Sequence, residues 1–235
     1  MSTARKLRRP LVVSFSGLDG SGKTTQIENL RSLIQSLGLR QESLAFWDNI
    51  VVLCRYREGF VHVVYKSERG IGAPDKPVER RDKNVRVWYL SLARHGLYLL
   101  DALHLMWVVG KARRRNTDVV IVDRYIYDEL ANLPLDNPLT RAFIRLVNFI
   151  VPKPDIAYLL DADPLGARAR KPEYPVEFMR QSRRRYFQLA DLVGAMTVIP
   201  PLPLTDARRE VERHFLRLLG ASDPKQSPHL DTATA

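Results

Sequence analysis

In the stretch GLDGSGKTT, Gly17, Gly22, Lys23 and Thr24 stand at the spacing G-x-x-x-x-G-K-[ST], with an apolar run before them and an amphipathic one after. The glycines leave backbone N–H groups free to curl around phosphate oxygens, and a helix starting at the lysine adds the positive potential of its N-terminus. Lys23 is expected to reach the β and γ phosphates of a bound nucleotide, to face water otherwise, and Thr24 to hold Mg2+. Gly17, Asp19, Gly20, Ser21, Gly22, Lys23, Thr24 and Thr25 thus form a candidate ATP site. A further carboxylate ends the run VVIVD. Four apolar residues there place Asp123 at the C-terminal edge of a sheet, where ligands of open α/β folds collect, so Asp123 joins Thr24 as a candidate magnesium ligand, directly or through water.

Arg124, next in line, would point into the same cleft. The segment DRYIYDEL offers an acid, a base and two tyrosines, Tyr125 among them, around an acceptor site, and a guanidinium in that place can hold a second phosphate bidentately. The competing reading is an ion pair with Asp128 four residues on. A third constellation, DADPLGARARKPEYPVEFMRQSRRRYFQLA, puts Arg168, Arg170, Lys171 and Arg180 in and after a proline-rich break. That is the composition of a mobile basic flap over about 166–176, which would bring positive charge to a transferring phosphoryl group and exclude water on closing. Arg183, Arg184 and Arg185 read as a solvated helix face with at most one member turned inward. A hydroxyl acceptor would instead require a carboxylate beyond the second strand, a role open to Asp48.

The elements that must position these groups are legible from periodicity. LVVSFS (11–16) is a buried strand, and Ile27, Leu30, Leu33, Ile34 and Leu37 recur at helical spacing before Gly38. SLAFW (43–47) predicts a second strand, followed by an irregular stretch to about 82. A long helix is predicted over 83–114, a strand over 118–123, helices near 126–132 and 138–150, and a strand in DIAYLLDAD. Asp163 and Pro164 suit a helix start, 175–193 reads as a helix, MTVIP as the last strand and 206–219 as a closing helix. Strands alternating with helices imply an α/β fold with a parallel sheet covered on both faces. One domain over 11–220 is expected, between a basic arm (1–10) and a polar tail (221–235).

With 235 residues, 45% hydrophobic and 27% charged, the chain has the composition of one globular domain. No apolar run is long enough to span a membrane. The single cysteine, Cys54, excludes an internal disulfide and fits a reducing compartment, and no secretory signal precedes Pro10, so a cytoplasmic location is expected. The formal charge of +11 attracts polyanions, but no nucleic-acid-binding motif accompanies it; nucleotide phosphates are the expected partners.

GLDGSGKTT, DVVIVDRY, PKPDIAYLLDADP and RKPEYPVEFMRQSRRRYFQLA resemble, in order, the P-loop, the DR[YH] segment, the fourth strand and the lid of the thymidylate kinase family, over about residues 11–219. The resemblance implies a five-stranded parallel sheet of the P-loop NTPase class. It implies transfer of phosphate from ATP to a nucleoside monophosphate, normally dTMP, with Mg2+, by a cytoplasmic enzyme usually assembled as a homodimer through long helices. Lys23 and Thr24 would serve ATP and Mg2+, Asp19 would lie near the acceptor, and Arg124 would bind its phosphate. SLARHG resembles a segment with an acceptor-binding arginine, which nominates Arg94. With Gly at position 20 the catalytic arginine would come from the lid, as Arg168 or Arg170. Two departures fall on the acceptor side: AFWDNIVVLCRYREGF stands where TREPG or FPRY is usual, and IYDEL where a small hydroxyl residue and AYQ are usual.

Overall fold

The structure is a computed structural model that describes residue 7 and residues 9–52 and 88–221. Cys54, most of the irregular stretch, the start of the basic arm and the tail beyond 221 lie outside the described residues. Within them, five strands form one parallel sheet: β1 (Leu11–Gly17), β2 (Gln41–Ala45), β3 (Val119–Asp123), β4 (Ile156–Leu160) and β5 (Met196–Ile199), in the order β2-β3-β1-β4-β5. The expected α/β class and strand count hold.

Alternation along the strands builds two cores. Leu11, Val13, Phe15, Ile121 and Tyr158 face one side, against α1 (Lys23–Ser36) and α7 (Leu204–Ala221). Val12, Val120, Val122, Ala157 and Leu159 face the other, together with residues of α2 (Trp88–Arg114), α3 (Ile126–Leu130), α4 (Pro138–Ile150) and α6 (Val176–Val193). Burial on both faces explains why β1, β3 and β4 read as continuous apolar runs. The remaining helix, α5 (Pro164–Arg170), starts at Asp163, whose side chain accepts from the Gly166 N–H.

The second strand begins earlier than expected, at Gln41, because Gln41 to Ala45 pair with Val119 to Asp123. Phe46 to Ile50 then turn into a single π-helical turn. The chain leaves the sheet on opposite sides of β1, so the C-terminal ends of β1 and β4 flank the switch point where a ligand crevice forms.

Candidate active site

Three turns meet at that edge. The first is the P-loop after β1. Gly17 has φ 139° and a Cβ there would collide with the Leu160 carbonyl of β4, so only glycine lets the loop leave the sheet at this point. Lys23 opens α1 and is buried. Contrary to the sequence expectation, its ammonium does not face water: it donates to the carbonyls of Gly17 at 2.9 Å and Leu18 at 2.7 Å. Burial, reinforced by the nearby Arg124 charge, pulls its pKa down to about 8. Thr24 is exposed at the start of α1, and the Ser21 hydroxyl is buried without a hydrogen-bond partner.

The second turn follows β3. Asp123 ends the strand opposite Phe15 of β1 and Ala45 of β2. Burial raises its pKa, and the Asp128 and Asp19 carboxylates add to the shift against Arg124 and Lys23. Arg124 has φ 65°, a left-handed conformation uncommon for a residue with a side chain, and its N–H donates to the Phe15 carbonyl. Its guanidinium lies between two carboxylates, pairing with Asp19 and, at 3.3 Å, with Asp128. Both sequence readings of Arg124 therefore meet in one place: the pair with Asp128 exists, but it is largely buried and inside the cleft. Asp19 stays below its ordinary pKa; burial opposes this, and Arg124, Lys23 and Lys171 outweigh it.

The third turn follows β4. The basic segment expected as a flap is helical from 164 to 170 and lies on the P-loop. Gly20 has φ 80°, and a Cβ on it would collide with the Ala167 carbonyl, so the two segments touch backbone to backbone. Arg170 Nε donates to the Gly20 carbonyl at 2.7 Å, and Lys171 lies 4.0 Å from Asp19. The Nε of Arg168 is buried without a hydrogen-bond partner. Arg180 only pairs with Glu177 on an exposed stretch of α6. Two members of the Arg183–Arg185 run, not one, are half-buried: Arg183, whose Nε and Nη2 each hold a carboxylate oxygen of Asp161 at 2.6 Å, and Arg185, whose pKa burial and the nearby Arg94 charge pull down.

The remaining acceptor candidates part company. Tyr125 does not reach the cleft: it is fully buried, its hydroxyl donates to the Pro152 carbonyl, and its ring packs on Tyr127. Asp48 is exposed in the π-helical turn beyond β2. Arg94 donates to the Tyr98 hydroxyl at 2.8 Å and to the Asn132 carbonyl at 3.3 Å, while Tyr98 donates to Glu129 at 2.8 Å.

Sequence reasoning missed Ser16, Tyr98, Glu129 and Tyr186 as parts of this cluster, and took Asp128 only as a surface partner of Arg124. Ser16 is, with Ser14, one of two polar side chains in a buried strand, and Tyr186 stands with Met179 and Leu189 on the buried side of α6. Those were the available signals.

Thymidylate kinases are among the proteins this chain is similar to. That of Bifidobacterium longum subsp. infantis is 30% identical over 194 residues, covering 77% of this chain and 74% of its own. The chain belongs to the thymidylate kinase family. The probable thymidylate kinase of Sulfurisphaera tokodaii is 27% identical over 189 residues, covering 77% of this chain and 83% of that one. A solved thymidylate kinase from Ehrlichia chaffeensis superposes with a TM-score of 0.55 at 19% identity, over 88% of this chain and 98% of that one, which supports the fold. No protein-family model matches the chain. As a thymidylate kinase family member, the protein is a phosphotransferase.

Proposed function

We propose that the enzyme transfers the γ phosphoryl group of ATP to the phosphate of a nucleoside monophosphate, dTMP before others. The observation that carries this reading is the Arg124 guanidinium, held by acids at the sheet edge beside the strand that leads into the P-loop. An arginine so placed takes an anionic acceptor, because a phosphate can replace one of its carboxylate partners and keep the guanidinium paired. The P-loop N–H groups and Lys23 bind the donor phosphates, and α5 covers the loop and keeps water out. Arg168, with an unpaired Nε, and Arg170 are the lid cations for the charge that develops in transfer. An acceptor phosphate is already ionised, so no general base is required.

The exposed Thr24 hydroxyl and the Asp123 carboxyl, whose raised pKa marks a site that favours an added cation, are hard oxygen donors that fit Mg2+. When bound, Mg2+ would neutralise phosphate charge. Arg94 and Asp19 are assigned to the acceptor. A cytoplasmic homodimer is part of the same reading: Leu92, Leu100, Leu103, Met106 and Trp107 share an exposed apolar stripe along α2.

The test is a set of specificity constants for dTMP, dUMP, dCMP, dGMP and thymidine with ATP and Mg2+, in the parent and in Arg124→Ala. Monophosphates should exceed thymidine by at least about a hundredfold, and Arg124→Ala should remove that preference. Thymidine rivalling dTMP in the parent would overturn the reading and return attention to Asp48.

A further inference from the structure

Asp128 takes no part in the chemistry just described, yet four donors converge on it. Its Oδ2 accepts from the Ser16 hydroxyl at 2.6 Å and from the Tyr125 N–H at 3.2 Å. Its Oδ1 accepts from the Tyr186 hydroxyl at 2.8 Å and from Arg124 Nη1 at 3.3 Å. Its side chain is 5% exposed. Those donors come from β1, from the turn after β3 and from α6, so the carboxylate is tied to three elements at once. A buried carboxylate survives only when its oxygens are satisfied in this way.

The two acids that hold Arg124 are therefore not equivalent. Asp19 is 21% exposed and has a second cation, Lys171, within 4.0 Å, so it can leave Arg124 without losing all neutralisation. Asp128 cannot shift without breaking its bonds to Ser16, Tyr125 and Tyr186. We infer that Asp128 is a positioning residue that fixes the Arg124 guanidinium for the acceptor phosphate, while Asp19 is the partner the phosphate displaces. The inference rests on the reading of Arg124 as the acceptor-phosphate ligand.

Asp128→Asn keeps the shape but offers one acceptor oxygen. The Ser16 and Tyr186 hydroxyls can turn and accept from the new amide, whereas the Arg124 and Tyr125 N–H groups cannot, so one of these two loses its partner. The experiment is steady-state kinetics with dTMP and ATP for the parent, Asp128→Asn, Arg124→Met and the double variant. Asp128→Asn should raise the dTMP KM about tenfold or more and leave the ATP KM within about threefold; on the Arg124→Met background it should add nothing. If Asp128→Asn does not fold, Tyr186→Phe, which removes one donor from the same carboxylate, should raise the dTMP KM about threefold with the ATP KM unchanged. Equal rises in both KM values, or an undiminished effect on the Arg124→Met background, would mean a merely structural role and overturn the inference. So would an unchanged dTMP KM in a folded Asp128→Asn, or in Tyr186→Phe where that variant stands in. If Arg124→Met itself leaves the dTMP KM at the parent value, the monophosphate reading fails first and the inference falls with it. The two failures are thus told apart.

Discussion

The donor side and the acceptor side of the cleft are built from different material. Around the P-loop the groups proposed to bind the donor are backbone N–H groups, one lysine and an exposed hydroxyl, all within the run from Gly17 to Thr25. Around Arg124 the cleft is built from side chains of β1, the turn after β3 and α6, bonded to one another through Asp128. A backbone cradle is fixed by local sequence, since glycine positions and a helix start are enough to form it. A side-chain cluster depends on which distant residues the fold brings together, so it can change within a family without disturbing the fold.

The largest effect should come from the donor side. Lys23→Met should lower turnover by several orders of magnitude, because no other cation in the loop can reach the donor phosphates. Two stability effects oppose each other: the carbonyls of Gly17 and Leu18 lose their donor, and a desolvated charge is removed. The melting temperature should therefore stay within a few degrees, or about 1 kcal/mol, of the parent. Calorimetry and a coupled ADP assay check both parts, and parent-like turnover would sink the P-loop assignment.

Next in size are the lid arginines, where the two sides meet. Arg170 is engaged by the Gly20 carbonyl, whereas the Arg168 Nε has no hydrogen-bond partner. Arg168→Ala should lower kcat about a hundredfold, on the order of 3 kcal/mol, with little change in the ATP KM. Arg170→Ala should act more on the ATP KM, through a loosened contact between α5 and the P-loop. If both variants keep full turnover, the catalytic cation lies elsewhere, and Lys171 beside Asp19 is the next to replace.

This contrast also explains what could be read in advance. The strands and helices followed from apolar periodicity because the sheet is buried on both faces, and the P-loop from its spacing between a strand pattern and a helix pattern. The Asp161–Arg183 and Asp128–Tyr186 pairs join the turn after β4 and α3 to α6 across 22 and 58 positions, a separation that no local pattern reports. Tyr125 was misplaced for a related reason. Adjacency to Arg124 suggested the cleft, but the left-handed turn at Arg124 sends the next side chain into the core. The water-facing Lys23 was misjudged because motif spacing says nothing of which loop carbonyls an ammonium can reach.

The smallest effect compares the two cations by titration. The Lys23 pKa is lowered to about 8 by burial and by Arg124, against an ordinary 10.5. Between those values the unfolded chain keeps a proton that the folded protein sheds, so this group makes stability rise with pH, by at most about 1.4 kcal/mol per pH unit. Below pH 8 both states are protonated and the contribution is flat. Arg124 behaves oppositely: burial opposes its charge, but Asp128 and Asp19 outweigh that and keep the guanidinium charged throughout. Donor phosphates beside Lys23 should restore its proton, so ATP binding at pH 8.5 should take up a fraction of a proton. An acceptor phosphate beside Arg124 should draw none from that residue. Titration calorimetry at pH 8.5 in two buffers of different ionisation enthalpy reads the uptake directly, with magnesium held constant and Lys23→Met as the control. Uptake that persists in Lys23→Met would assign the proton to another group, and equal uptake for dTMP would erase the distinction between the two sides.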